Sequence, residues 1–190
     1  MNKTRKNLLV LVLLLAVCAA GLLLVPRLVR TLEKKSFPLR YQQTVEQYAA
    51  QYDVDPLMVY SIIRTESGFD EKALSNVGAR GLMQITEETF AWIKLKIASS
   101  EDLSFDDLWD PQVNIRFGTY YLSRCLQRYS GDLATASAAY HSGWGTVDAL
   151  LENSAYTAGD GKLSAFPYTQ MSLYVKKVQR AFAKYQQLYQ

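Results

Sequence analysis

Apolar and polar positions follow two regimes along this chain. Residues 8–25 (LLVLVLLLAVCAAGLLLV) are 18 consecutive apolar positions with no polar face. A run of that length is at the short end of what crosses a hydrocarbon core of about 30 Å. From residue 41 onward the pattern becomes helical, punctuated by loops rich in Gly, Ser and Asp. The first helix of this part is expected over 41–52. Asp55 and Asp110 each precede a proline, pairing an N-cap acceptor with a residue whose φ suits the first helical turn. They open helices expected to run from 56 to a stop at Ser67-Gly68 and from 111 to about 129. Thr86 can cap a helix to about Ile97, with Glu87 and Glu88 at its positive end. Further helices are expected over 131–140, 146–153 and 170–188. Only 75–85, with Gly78 and Gly81, reads as irregular or short β structure. The fold class is a mainly α single domain over 41–190, preceded by an apolar helix.

Charge sharpens that division. Residues 1–40 hold eight Lys/Arg against one acid, Glu33, whereas 41–190 hold 13 bases against 17 acids. The net charge of +3 therefore belongs to the N-terminal end, and the folded part is acidic. That argues against a nucleic-acid partner. Lys3, Arg5 and Lys6 precede the apolar run, which favours a cytoplasmic 1–7, a transmembrane anchor at 8–25 and an extracytoplasmic remainder. Arg27, Arg30, Lys34 and Lys35 follow it and weaken that bias. Residues 26–40 read as a basic juxtamembrane stalk, at most about 50 Å long if extended and about 22 Å if helical. Three other readings of the run stay open. A signal peptide could be cut after Ala20, although the apolar run continues to Val25. A lipoprotein site would use Cys18, with bulky Val17 before it. A buried core helix would need cover on all sides. One His and two Cys exclude multi-ligand zinc sites and a disulfide framework, so neither metal nor structural disulfide is expected.

One helix carries a candidate for chemistry. At 100° per residue, Val59, Ile62, Ile63 and Glu66 share a stripe, so a carboxylate ends the face that points to the core. Apolar surroundings and helix C-terminal carbonyls both disfavour its charge and raise its pKa. A carboxyl still protonated near neutral pH suits a glycosidase general acid, whereas a solvated helix-end Glu is the plain alternative.

Glu66-Ser67-Gly68-Phe69 is followed by Gly78-Ala79-Arg80-Gly81-Leu82-Met83-Gln84-Ile85. Together they resemble the lysozyme-like lytic transglycosylases of the soluble-lytic type. In the same order come the helix motif from Asn114 through Gly118 to Tyr121-Leu122, and the turn Ala139-Tyr140-His141-Ser142-Gly143-Trp144-Gly145. Phe166-Pro167-Tyr168, followed by Tyr174-Val175-Lys176-Lys177-Val178, is similar to the family's C-terminal motif. The resemblance implies a lysozyme-like domain that cleaves the MurNAc–GlcNAc β-1,4 bond of peptidoglycan with Glu66 as its single catalytic carboxyl. Acting as acid and then as base, Glu66 would close a 1,6-anhydro ring, the sugar's N-acetyl group assisting, with no cofactor. The same resemblance implies that Ser75 lies beside the N-acetyl group, that Gln84 hydrogen-bonds near the carboxyl with Met83 packed beside it, and that the Tyr140 hydroxyl approaches Glu66. His141 and Tyr174 are further expected substrate contacts.

The chain departs from the family pattern in places. His141 stands where Asn is usual, and His titrates near pH 6–7. Ser142 stands where Ala is usual, Thr86 where an apolar residue or Met is common, and Gln170-Met171 where Glu-Thr is common. Two other functions therefore stay open: a muramidase, with Asp70 or Glu71 as a second carboxylate, and a non-catalytic glycan-binding scaffold.

Overall fold

The computed structural model describes residues 3–157 and 159–190; in the first helix it does not describe the side chains of 3–6, 8–10 and 12. The expected cytoplasmic residues 1–7, with Lys3, Arg5 and Lys6, thus lie largely outside the described residues, as does Ala158. The chain divides into two units, Met1–Pro38 and Leu39–Gln190.

The first unit is α1, Lys3–Ser36, which continues through Pro26. Its 34 residues make a rod of about 51 Å at 1.5 Å per residue. The basic segment after the apolar run is therefore helical as far as Ser36 rather than extended. Described apolar side chains from Leu11 to Leu32 are exposed, Leu22 by 78%. Leu13–Ser36 is long and apolar enough to cross a membrane.

In the second unit, α2 (Gln42–Tyr52) and α3 (Pro56–Glu66) come first, followed by a long loop and α4 (Glu87–Ile97). A 3-10 turn at Phe105–Trp109 then leads into α5 (Pro111–Arg128). The chain ends with α6 (Leu133–Ser142), α7 (Trp144–Leu151) and α8 (Thr169–Tyr189). The cap-and-proline expectations hold in atomic detail. The Asp55 carboxylate accepts from the Leu57 N–H, and Asp110 accepts from Gln112 and Val113. Thr86 caps α4 by accepting from Thr89 N–H, and Asp132 caps α6 by accepting from Thr135. Ser104 and Asp107 cap the 3-10 turn reciprocally, a short element in a stretch to which the sequence assigned no helix. α7 starts two residues earlier than expected, because Gly143 at φ 82° bends the chain sharply out of α6.

α6 is the centre of the domain. Residues 135–140 are all buried, and the helix packs against α5, α7 and α8. Ala136, Ala138 and Ala139 let those neighbours approach closely, while the Thr135 and Ser137 hydroxyls donate to Asp132 and the Leu133 carbonyl. α3 lays its Val59, Ile62 and Ile63 stripe into the core against α8, where Val175, Val178 and Tyr185 are buried. Among the described residues there is no strand. The 74–85 segment closes through isolated bridges from Arg80 to Leu74 and to Ile85.

Candidate active site

Three segments bring Glu66 into a cleft. α3 ends at Glu66, and the Ser67 hydroxyl donates to the Leu82 carbonyl at 2.8 Å, tying the helix end to the 74–85 loop. The loop is anchored from behind by buried Asn114 on α5. Its amide oxygen accepts from Met83 N–H at 2.8 Å, and its amide nitrogen donates to the Arg80 and Leu108 carbonyls, both at 2.9 Å. Two glycines permit this fit. A Cβ on Gly81, which sits at φ 72°, would lie 2.2 Å from the Asn114 amide nitrogen. One on Gly118 would lie 2.4 Å from the Met83 sulfur. α8 supplies the third wall: the Tyr174 hydroxyl donates to Glu66 Oε1 at 2.6 Å, across 108 residues of chain.

Glu66, Ser75, Gln84, Tyr121, Tyr140 and His141 face a cavity of about 200 Å³. A second groove shares Thr89 and Tyr121 with it and extends to Trp92 and Trp144. A third shares Glu66 and His141 and runs between Thr65 and the α8 residues Gln170, Tyr174 and Lys177. Glu66 thus stands between two arms of an elongated cleft, one aromatic and one walled by α8.

The electrostatics follow from this packing. Burial pushes the Glu66 carboxyl up to about 7, against the Tyr174 hydrogen bond, which favours the charged form. With Oε1 accepting from Tyr174, no hydrogen bond occupies Oε2 among the described residues, and a proton carried there is available to a bound molecule. Burial and the neighbouring Glu66 charge hold the Tyr174 and Tyr140 hydroxyls protonated, well above the usual tyrosine value. The His141 ring stacks on Tyr174 at 4.4 Å with planes 13° apart, and burial lowers its pKa, favouring the neutral ring.

The structure places Met83 elsewhere than expected and gives the other expected residues specific partners. Met83 is fully buried behind the loop and does not line the cavity, so it supports the wall instead of touching substrate. Gln84 lines the cavity, but its amide nitrogen donates to the Ala73 and Gly81 carbonyls, each at 2.9 Å, and so holds the loop. The Tyr140 hydroxyl donates to the Met83 carbonyl at 2.8 Å, and the tyrosine bonded to Glu66 is Tyr174. Ser75 lines the cavity, and its hydroxyl oxygen accepts from the Ala79 N–H in a tight turn. Sequence reasoning assigned no role to Tyr121, Trp92, Trp144 and Lys177, which line the arms of the cleft. Trp92 and Trp144 meet edge to face at 5.1 Å while remaining partly exposed, and the available sequence signal was Trp144 directly following the Ala139–Gly143 turn.

The Transglycosylase SLT domain model matches residues 43–164, which contain the end of α3, the loop and α6. The chain belongs to the SLT transglycosylase family. The soluble lytic murein transglycosylase of Escherichia coli (strain K12) is 32% identical over 151 residues, 76% of this chain and 23% of that protein. Membrane-bound lytic murein transglycosylase C of Yersinia pestis (strain Pestoides F) is 35% identical over 117 residues, 57% of this chain and 32% of that one. The solved inactive glutamate-to-glutamine mutant of lytic transglycosylase Slt from Pseudomonas aeruginosa superposes with a TM-score of 0.71 at 31% identity. That match covers 80% of this chain and 25% of the other. The SLT domain described here thus has the expected mainly α, lysozyme-like fold, and the chain spans between about a quarter and a third of the length of these relatives.

Proposed function

We propose that this chain is a peptidoglycan lytic transglycosylase in which Glu66 is the only catalytic carboxyl. The observation that carries the reading is the state of Glu66: a carboxyl held near pKa 7, bonded to one tyrosine, in a cavity that no second carboxylate lines. Asp70 and Glu71, the candidates for a second acid, are engaged elsewhere. Asp70 accepts from the Lys72 N–H, and Glu71 accepts from the Tyr41 hydroxyl at 3.0 Å. The inactivity of a glutamate-to-glutamine mutant in the Pseudomonas neighbour is consistent with dependence on one acid.

In the proposed reaction, protonated Glu66 gives its proton to the oxygen bridging MurNAc and GlcNAc, and that C–O bond breaks. The sugar's own N-acetyl oxygen bonds to the anomeric carbon, replacing the second protein carboxylate that most glycosidases use. The Glu66 carboxylate then takes the proton of the MurNAc 6-hydroxyl, whose oxygen bonds to the anomeric carbon and closes the 1,6-anhydro ring as the bond from that carbon to the N-acetyl oxygen breaks. Glu66 ends protonated, ready for another cycle, and no water is consumed. Tyr174 steadies the carboxylate form between the two steps.

We propose further that α1 anchors the chain in the cell membrane as a single pass, with the Leu39–Gln190 unit on the extracytoplasmic face. The exposed apolar surface of α1 and the relative named membrane-bound support this. Mass analysis of digested sacculi tests the chemistry. Strand ends carrying 1,6-anhydro-MurNAc, one water lighter than reducing ends, are the expected product. Reducing MurNAc ends alone would make the chain a muramidase, and no release by either wild type or Glu66→Gln would make it a binding protein.

A further inference from the structure

The wall that α8 contributes differs in charge from the rest of the domain. Residues 163–190 hold Lys176, Lys177, Arg180 and Lys184 and no acid, whereas 41–162 hold nine bases against 17 acids. Among those four bases, Lys177 lines the groove adjoining Glu66. Gln170, Leu173, Tyr174 and Lys177 form one face of the helix at i, i+3, i+4 and i+7, so the amide and the ammonium flank the tyrosine that holds Glu66. Elsewhere three arginines of the domain sit in ion pairs: Arg80 with Asp106, Arg116 with Glu101, Arg128 with Asp148. Lys177 enters no ion pair among the described residues, and Glu66 is the only carboxylate lining its groove. Gln170 lines the same groove as Lys177 and brings an uncharged amide to it, so no acid of α8 competes for the ammonium there.

We infer that the α3–α8 groove binds a carboxylate of the substrate, with Lys177 as its counter-charge and the Gln170 amide as a hydrogen-bond donor. This rests on the reading that the cleft takes a peptidoglycan strand. Such a strand offers carboxylates from two sources: the lactyl ether of MurNAc where the stem peptide is absent, and the peptide itself where it is present. Lys177 is then a specificity residue whose loss raises KM and leaves kcat nearly unchanged.

The test uses the full chain in detergent and strands of equal length in three forms: denuded, peptide-bearing, and denuded with lactyl carboxyls converted to amides. For Lys177→Gln, kcat/KM should fall about three- to fivefold on a carboxylate-bearing strand and less than twofold on the amidated one. Lys177→Arg should restore it, and Gln170→Glu should lower it in the same selective way. A larger loss on denuded strands assigns the lactyl carboxylate, and a larger loss on peptide-bearing strands assigns the peptide. Equal losses on all three forms, or none on any, would overturn the inference. Binding of the same strands to Glu66→Gln, with and without Lys177→Gln, gives the contrast without turnover. The inference is thereby judged even where the proposed chemistry fails.

Discussion

Glu66 and Asp148 are two of the three carboxylates among the described residues of this domain that accept a hydrogen bond from a tyrosine, and their acidities move in opposite directions. Tyr174 donates to Glu66 at 2.6 Å, and Tyr129 donates to Asp148 at 3.0 Å. Glu66 is pushed up to about 7, whereas Asp148 is held below the usual carboxylate range. The difference lies in what surrounds the pair. Asp148 has the Arg128 guanidinium bonded to it and stands open to solvent, so its charge is matched. Glu66 has no cation bonded to it among the described residues and is enclosed by α3, the 74–85 loop and α8. A tyrosine alone therefore does not set a carboxyl's acidity; desolvation without a counter-charge outweighs it.

The comparison breaks most visibly under substitution. Glu66→Gln should lower strand cleavage about a thousandfold, while Asp148→Asn should leave it within about twofold, both read by release of soluble fragments. Comparable losses from the two would mean that the buried carboxyl is not the acid.

Stability should separate them next, with opposite pH dependence. The folded-state pKa of Glu66 lies above its unfolded value, so ionising it costs stability progressively between about pH 4.5 and 7 and by a constant amount above. Glu66→Gln removes that cost. It should stabilise the domain by about 1–3 kcal/mol at pH 8 and by nothing at pH 4, measured by urea unfolding. Asp148 runs the other way: its pKa is lowered, so its contribution is present near neutral pH and lost in acid. Asp148→Asn should cost at most about 1 kcal/mol at pH 7, because the pair is exposed.

The tyrosines give the smallest and sharpest contrast. Tyr174→Phe removes the bond that favours charged Glu66, so the alkaline limb of the pH–rate profile should move to higher pH. Its rate should fall about three- to tenfold as the carboxylate step loses support. Tyr129→Phe should leave that limb where it is.

Much of this was visible before any coordinates. Asp55-Pro56, Asp110-Pro111 and Thr86 are local signals, and the caps they describe form within two or three residues. The Glu66 stripe was equally local, since helical periodicity alone puts it at the end of Val59, Ile62 and Ile63. What the residues did not disclose were partners chosen across long chain separations. Motif order brought Tyr140, Met83, Gln84 and Tyr174 to one place without saying which hydroxyl meets which oxygen. That choice was made by Asn114 drawing Met83 inward and by α8 docking on α3 and α6. The Lys177 groove was hidden for a similar reason: an exposed lysine on an amphipathic helix gives no local sign that it shares a groove with a carboxyl on another element.

The span of 108 residues between Glu66 and Tyr174 bears on when this domain becomes active during its synthesis. Until the last helix has been made and docked, one wall of the cleft is missing and Glu66 lacks the hydroxyl of Tyr174. The surroundings of Glu66 are thus completed only after the chain is. A nascent or C-terminally clipped copy would carry every motif from 66 to 145 and still lack the α8 wall and the tyrosine bonded to Glu66.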